Sequence, residues 1–246
     1  MKRVYALIPA RSGSKQIANK NIMDLDGVPL LGYSVAAAKM CPLIDEVFVS
    51  TDSEVYQSIA LKLGAKAPFL RPKEISGDNS LDIEFFQHFI KWCEESGNEV
   101  PEYIVHLRPS TPLRDPRIIK QAIEHLLQTS DATALRSCQK TNLTPYKLFK
   151  KKAEYMEPYL RDDRFLESYN QPRQVFEDTF VPNGYVDIVK TDVFLDSVTL
   201  HGDKMLLWET EPTADIDCLE DFSEAKRQLA NPSFASLLNY LEGLKL

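Results

Sequence analysis

The chain has 246 residues, 43% hydrophobic and 26% charged, which suits one α/β domain with a full-sized core. A net charge of −7 argues against nucleic acid as a partner, so any phosphate site must stand out as a local cluster of Arg and Lys. No stretch reaches the roughly 20 uninterrupted apolar residues of a membrane span, and the apolar run after Met1-Lys2-Arg3 is too short for a signal peptide.

In chain order, Val4–Ala10 is an apolar run rich in strand formers, as expected of a first, buried strand of a parallel sheet. It stops at Arg11-Ser12-Gly13-Ser14-Lys15. Leu30–Met40 has helical spacing, Glu46–Asp52 reads as a strand, and Ser53–Leu63 as a helix ending near Gly64. In Leu81–Cys93, Ile83, Phe86, Phe89, Ile90 and Cys93 share one helical face. Tyr103–Leu107 is a strand, Pro116–Gln128 a helix and Asp131–Ser137 a strand. This alternation predicts βαβ units, hence a Rossmann-like, mainly parallel sheet flanked by helices. From about Tyr146 to Lys190 the pattern breaks into short β-like pieces, read as an insertion leaving the main sheet. Lys204–Glu209 returns as a strand, and Leu219–Ala230 and Ser233–Leu244 are closing helices. Cys41, Cys93, Cys138 and Cys218 form no C-x-x-C pair and read as reduced and packed, in a cytosolic protein without structural zinc. His88, His106, His125 and His201 sit singly, with no nucleophile pattern beside them.

Four segments could carry chemistry. The loop Pro9–Lys15, continuing to Lys20-Asn21, follows a buried strand, where open α/β sheets bind ligands. Its backbone N–H groups could cradle phosphates while Arg11, Lys15 and Lys20 neutralise them. It is neither a Walker loop nor a G-x-G-x-x-G turn, and the blander alternative is a βα turn with solvated lysines. In Asp215-Ile216-Asp217, read as a strand, residues i and i+2 share a face, so two carboxylates can converge on a hard cation such as Mg²⁺. An acidic helix N-terminus explains them equally. The segment Arg108-Pro109-Ser110-Thr111-Pro112-Leu113-Arg114 also ends a strand and is expected to turn its hydroxyls and cations to the same crevice. Asn170-Gln171-Pro172-Arg173-Gln174, with Pro182-Asn183-Gly184, offers an Arg amid amides, suited to a carboxylate, or else a polar surface hairpin.

Taken in order, IPARSGSK, NKN, VSTD, LRP before SGDNS, RPSTPLR, QPRQ, PNG and DID resemble the acylneuraminate cytidylyltransferase (CMP-sialic acid synthetase) family over nearly the whole chain. The resemblance implies a single nucleotidyltransferase domain over 1–246 and a homodimer, with 146–190 as a dimerisation and sugar-site insertion. It implies CTP binding by Arg11, Ser14, Lys15, Lys20, Asn21, Arg71 and Ser80. It places the sugar near Arg108, Ser110, Thr111, Gln171, Arg173 and Asn183, and Mg²⁺ at Asp215 and Asp217. Arg11, Lys20 and Asp217 are the expected catalytic residues. The chain departs from the family at Gln16 and Ala18, where Gly and Pro are usual, and on the sugar side at Arg108 (usually Gln) and Asp187 (usually Tyr).

The expected activity is therefore transfer of CMP from CTP to the anomeric hydroxyl of an acidic, sialic-acid-like nonulosonate, in the cytoplasm. Alternatives are transfer to an eight-carbon ulosonate and a guanylyl- or uridylyltransferase for a hexose phosphate. From a different class, a D-x-D glycosyltransferase would need no triphosphate-binding loop at the N-terminus.

Overall fold

The computed structural model describes residues 2–195 and 198–244. The N-terminal half runs β1 (Val4–Pro9), β2 (Asp24–Leu25), β3 (Val28–Pro29), α1 (Leu30–Lys39), β4 (Glu46–Ser50), α2 (Glu54–Lys62), α3 (Asp82–Glu95), β5 (Tyr103–His106) and α4 (Pro116–Gln128). There follow β6 (Ala134–Thr141), the hairpin β7 (Phe149–Lys152) and β8 (Tyr155–Pro158), and β9 (Thr179–Lys190). The chain closes with α5 (Thr191–Leu195), β10 (Met205–Glu209), α6 (Leu219–Gln228) and α7 (Ala235–Glu242). Among the described residues, six strands form the main sheet in the order β10-β6-β9-β5-β1-β4. β9 runs antiparallel to both neighbours, and the other pairings are parallel.

Burial explains the continuous apolar run at the N-terminus. In β1, Val4, Ala6 and Ile8 face one core layer, while Tyr5 and Leu7 face the other. α1 and α4 pack on the first side, and α3 covers the second with Phe85, Phe86, Phe89 and Ile90. A strand covered on both faces cannot alternate apolar with polar. Helix starts are equally local. Ser53 accepts the Tyr56 N–H at the head of α2, and Asp115 accepts the Arg117 N–H ahead of Pro116 in α4. α1 lies so close to its neighbours that a Cβ on Gly32 would meet Val28 Cγ1 at 2.6 Å.

Three expectations need correction. The segment that leaves the sheet ends before β9, and 179–190 is the strand between β5 and β6. Among the described residues of 146–190, the β7–β8 hairpin and its flanking turns stand apart from the main sheet. Asp215-Ile216-Asp217 is extended loop, not strand, because no neighbouring strand pairs with it. Cys41, Cys93 and Cys138 are buried and free as expected, but Cys218 is exposed at the head of α6. No helix among the described residues is long and apolar enough to cross a membrane.

Candidate active site

β1 has β4 on one side and β5 on the other, so the loops after β1 and β5 diverge and leave a crevice at their C-terminal ends. The first loop is pinned from several directions. The Ser12 N–H and hydroxyl both donate to the Asp52 carboxylate, at 2.7 and 3.1 Å. The Asn21 amide donates to the Arg11 carbonyl at 2.9 Å. Asn19 supplies a left-handed turn (φ 55°) and accepts from the Tyr56 hydroxyl. Lys20 then reaches across the crevice, its Nζ 2.7 Å from the Ile216 carbonyl and 2.9 Å from Asp217 Oδ1.

The wall beside α3 carries Arg71 and the turn Gly77–Ser80. Arg71 donates to the Ser50 hydroxyl and carbonyl and lies 4.8 Å from the Phe85 ring. Burial pushes its pKa down to about 10, which leaves it charged at neutral pH. The Ser80 hydroxyl accepts the Gly77 N–H at 3.0 Å and tightens the turn. That turn presents Asp78, whose two oxygens accept from Arg11 Nη1 at 2.7 Å and Lys15 Nζ at 2.5 Å.

The floor is built around two arginines. Arg108 donates to Asp187 at 2.8 Å and to Asp82 at 3.0 Å. Burial alone would lower its pKa, but the two carboxylates outweigh burial and raise it. Arg114 does not face the crevice as expected. It is fully buried, donating to the carbonyls of Arg108, Gly184 and Tyr185 and to the Ser34 hydroxyl. The Gly184 and Tyr185 carbonyls come from a bulge in β9, where two residues along β6 (Arg136 to Cys138) answer to five along β9 (Asp187 to Pro182). The Pro182-Asn183-Gly184 motif is this bulge, not a surface hairpin. Its Gly184 (φ 67°) lies where a Cβ would stand 3.1 Å from Thr111 Oγ1.

The resulting cleft has a volume of about 520 Å³. Arg11, Ser14, Lys15, Lys20, Asn21, Arg71 and Ser80 line it together, joined by Arg108, Ser110 and Asp217. The remaining expected site residues stand elsewhere. Thr111 is fully buried, its hydroxyl 3.4 Å from Asp215. Asn183 is buried and donates to Thr210. Gln171 and Arg173 lie in the segment outside the main sheet, where Arg173 donates to the Phe176 carbonyl and faces Asp178. Asp52, Asp78 and Asp82 are the structural contributors that sequence motifs did not single out. VSTD and SGDNS carried Asp52 and Asp78, but their partners lie 40 and 67 residues away in sequence.

Among the described residues, no group of three or more His, Cys, Asp or Glu side chains could hold a metal. Asp215 and Asp217 are exposed on either side of buried Ile216, whose N–H donates to the Ser110 carbonyl. Asp217, in the cleft lining and paired with Lys20, and Asp215, exposed just outside the lining, are compatible with Mg²⁺, which is held by one or two carboxylates when substrate phosphates and water supply the rest.

A family model described as Cytidylyltransferase matches residues 5–180. The chain is 41% identical over 122 residues to the pseudaminic acid cytidylyltransferase of Campylobacter jejuni, covering 50% of this chain and 52% of that protein. It is 30% identical over 225 residues to the N-acylneuraminate cytidylyltransferase of Escherichia coli O18:K1:H7, covering 91% of this chain and 51% of that protein. The match therefore spans about half the length of these relatives. The fold is similar to CMP:2-keto-3-deoxy-manno-octonic acid synthetase complexed with CTP. That similarity has TM-score 0.67 and 14% identity over 93% of this chain and 99% of the other.

Proposed function

This chain belongs to the cytidylyltransferase family, and from that premise we propose that it joins CMP from CTP to the anomeric hydroxyl of a nine-carbon acidic sugar, releasing pyrophosphate. The observation that carries the proposal is the convergence in one cleft of the loop cations Arg11, Lys15 and Lys20 with Arg71, opposite Ser110 and Asp217. The relatives named for pseudaminic acid and N-acylneuraminate support a nonulosonate as acceptor.

In the proposed reaction the anomeric oxygen forms a bond to the α-phosphorus, the α–β bridging P–O bond breaks, and the hydroxyl proton is lost to water. Charge gathers on phosphate oxygens, so catalysis is mainly positioning and electrostatic stabilisation. Arg11, Lys15 and Lys20 neutralise the triphosphate from one side. Ser14, Asn21, Arg71 and Ser80 hold the nucleotide, and Arg108 and Ser110 lie at the sugar end. Asp215 and Asp217 would hold Mg²⁺, which supplies positive charge at the α-phosphate and acidifies the attacking hydroxyl.

Gln171, Arg173 and the rest of the segment between β6 and β9 are proposed to serve a second copy. Leu143, Tyr155, Met156, Tyr159 and Leu166 expose large apolar surface there. In this reading a second copy covers that surface and Arg173 serves the partner's sugar site. Four free cysteines and the use of CTP support a cytoplasmic location.

The test is a panel of nucleoside triphosphates and ulosonates scored by pyrophosphate release. The expected result is turnover with CTP that requires both Mg²⁺ and a nonulosonate. Equal turnover with UTP or GTP, or use of a sugar 1-phosphate as acceptor, would contradict the proposal.

A further inference from the structure

Within the cleft the cations of the first loop are engaged by acids of the facing walls. Lys20 is held by Asp217. Arg11 and Lys15 both converge on Asp78, one on each carboxylate oxygen. A carboxylate that bridges an arginine and a lysine does what a phosphate group does: it offers separate anionic oxygens to a fork and to a point charge. The backbone turn that carries Asp78 is closed by local hydrogen bonds. The Ser80–Gly77 bonds close its turn from within, and the Leu81 N–H bonded to Glu84 ties the turn to the start of α3.

We propose that Asp78 is a positioning residue that stands in for a phosphate, holding Arg11 and Lys15 gathered between turnovers and competing with the polyphosphate for both. The inference rests on the nucleotide-binding role proposed above. An incoming triphosphate must displace Asp78 from the two cations, and its several charges outweigh one carboxylate. As pyrophosphate departs, Asp78 recovers the same cations and so helps the product leave. A single phosphate competes poorly, so the residue biases the cleft against monophosphates. The ion pairs also hold the Asp78 carboxyl below the usual aspartate range, so the competitor stays charged at neutral pH.

The test is direct binding of inorganic pyrophosphate, and of CTP, to the full chain and to Asp78→Asn by calorimetry, with Asp78→Glu as the charge-retaining control. Asp78→Asn should tighten pyrophosphate binding by about three- to tenfold, since two exposed ion pairs no longer compete. The KM for CTP should fall, kcat should not rise, and Asp78→Glu should stay near the parent affinity. The sign is the discriminating readout: if Asp78 only shaped the loop, its loss would weaken binding. Equal or weaker pyrophosphate binding by a folded Asp78→Asn, judged by its unchanged thermal transition, overturns the inference alone. If Asp78→Asn melts early, Asp78→Ser is read in the same way. Failure of parent and variant alike to bind either pyrophosphate or CTP overturns the nucleotide site and this inference together.

Discussion

Asp215 and Asp217 show how one motif can hold two unequal residues. Asp217 lines the cleft and pairs with Lys20, whereas Asp215 stands beside the buried Thr111 hydroxyl and outside the lining. An amide keeps the shape of the aspartate side chain but removes the charge that a hard cation requires. Asp217→Asn should therefore lower kcat by at least about 100-fold, near the loss seen for a removed electrostatic group in other enzymes. Asp215→Asn should cost the same or less, and both variants should keep the parent's unfolding midpoint because both side chains are exposed. Pyrophosphate release at saturating CTP, titrated with Mg²⁺, measures this. Near-normal rates at ordinary Mg²⁺ in either variant would remove that residue from the metal assignment.

At the level of elements, β9 decides the shape of the floor. Its bulge turns the Gly184 and Tyr185 carbonyls onto Arg114 and seats Gly184 against Thr111, next to Asp215. Gly184→Ala should force a left-handed alanine and crowd Thr111. It should cost about 1–3 kcal/mol, or a fall of roughly 2–12 °C in Tm for a chain of this size, and lower the rate of pyrophosphate release as well. An unchanged Tm would mean that the bulge relaxes freely. β1, β4 and β5 were legible because each is a buried apolar run followed in sequence by a helix, and α4 begins and ends at the residues expected. The antiparallel strand was not, because a strand inserted between β5 and β6 takes its place from partners outside its own segment. YVDIVK and the polar bulge before it looked local and superficial for that reason. The place of the first loop in the cleft was legible from its cations. Arg114 misled because charge in sequence suggests solvent or ligand, while here four acceptors satisfy it inside the protein.

The molecule as a whole carries seven more acidic than basic charges, yet five cations line the cleft against three carboxylates. Near the cleft floor, on β5, lies a buried histidine. His106 is buried, both ring nitrogens lack partners, and Phe85 and Phe86 pack edge-on against it. Burial holds its pKa well below the usual 6.5, and Arg108, His201, Arg114 and Arg136 push the same way, while Asp82 lies 4.0 Å off. The sign follows from proton counting. Below pH 6.5 the unfolded chain binds a proton at this position and the folded chain does not, so stability rises with pH in that window and is lost as pH falls. Each such histidine contributes a slope of at most about 1.4 kcal/mol per pH unit. His201 and His88 are also held low by burial and add to the loss. Acids such as Asp78 are held below the usual aspartate value of 3.8, so their contribution is lost only at lower pH, outside this range. Falling net negative charge opposes the trend by easing self-repulsion, but it does so equally in a variant that only lacks this one ring. Urea unfolding between pH 7 and 5 should thus show a steep loss of stability in the parent and a shallower one in His106→Gln, whatever the offset at pH 7. Parallel slopes for the two proteins would mean that His106 takes up its proton inside the fold, and that the floor tolerates a third positive charge beside Arg108 and Arg136.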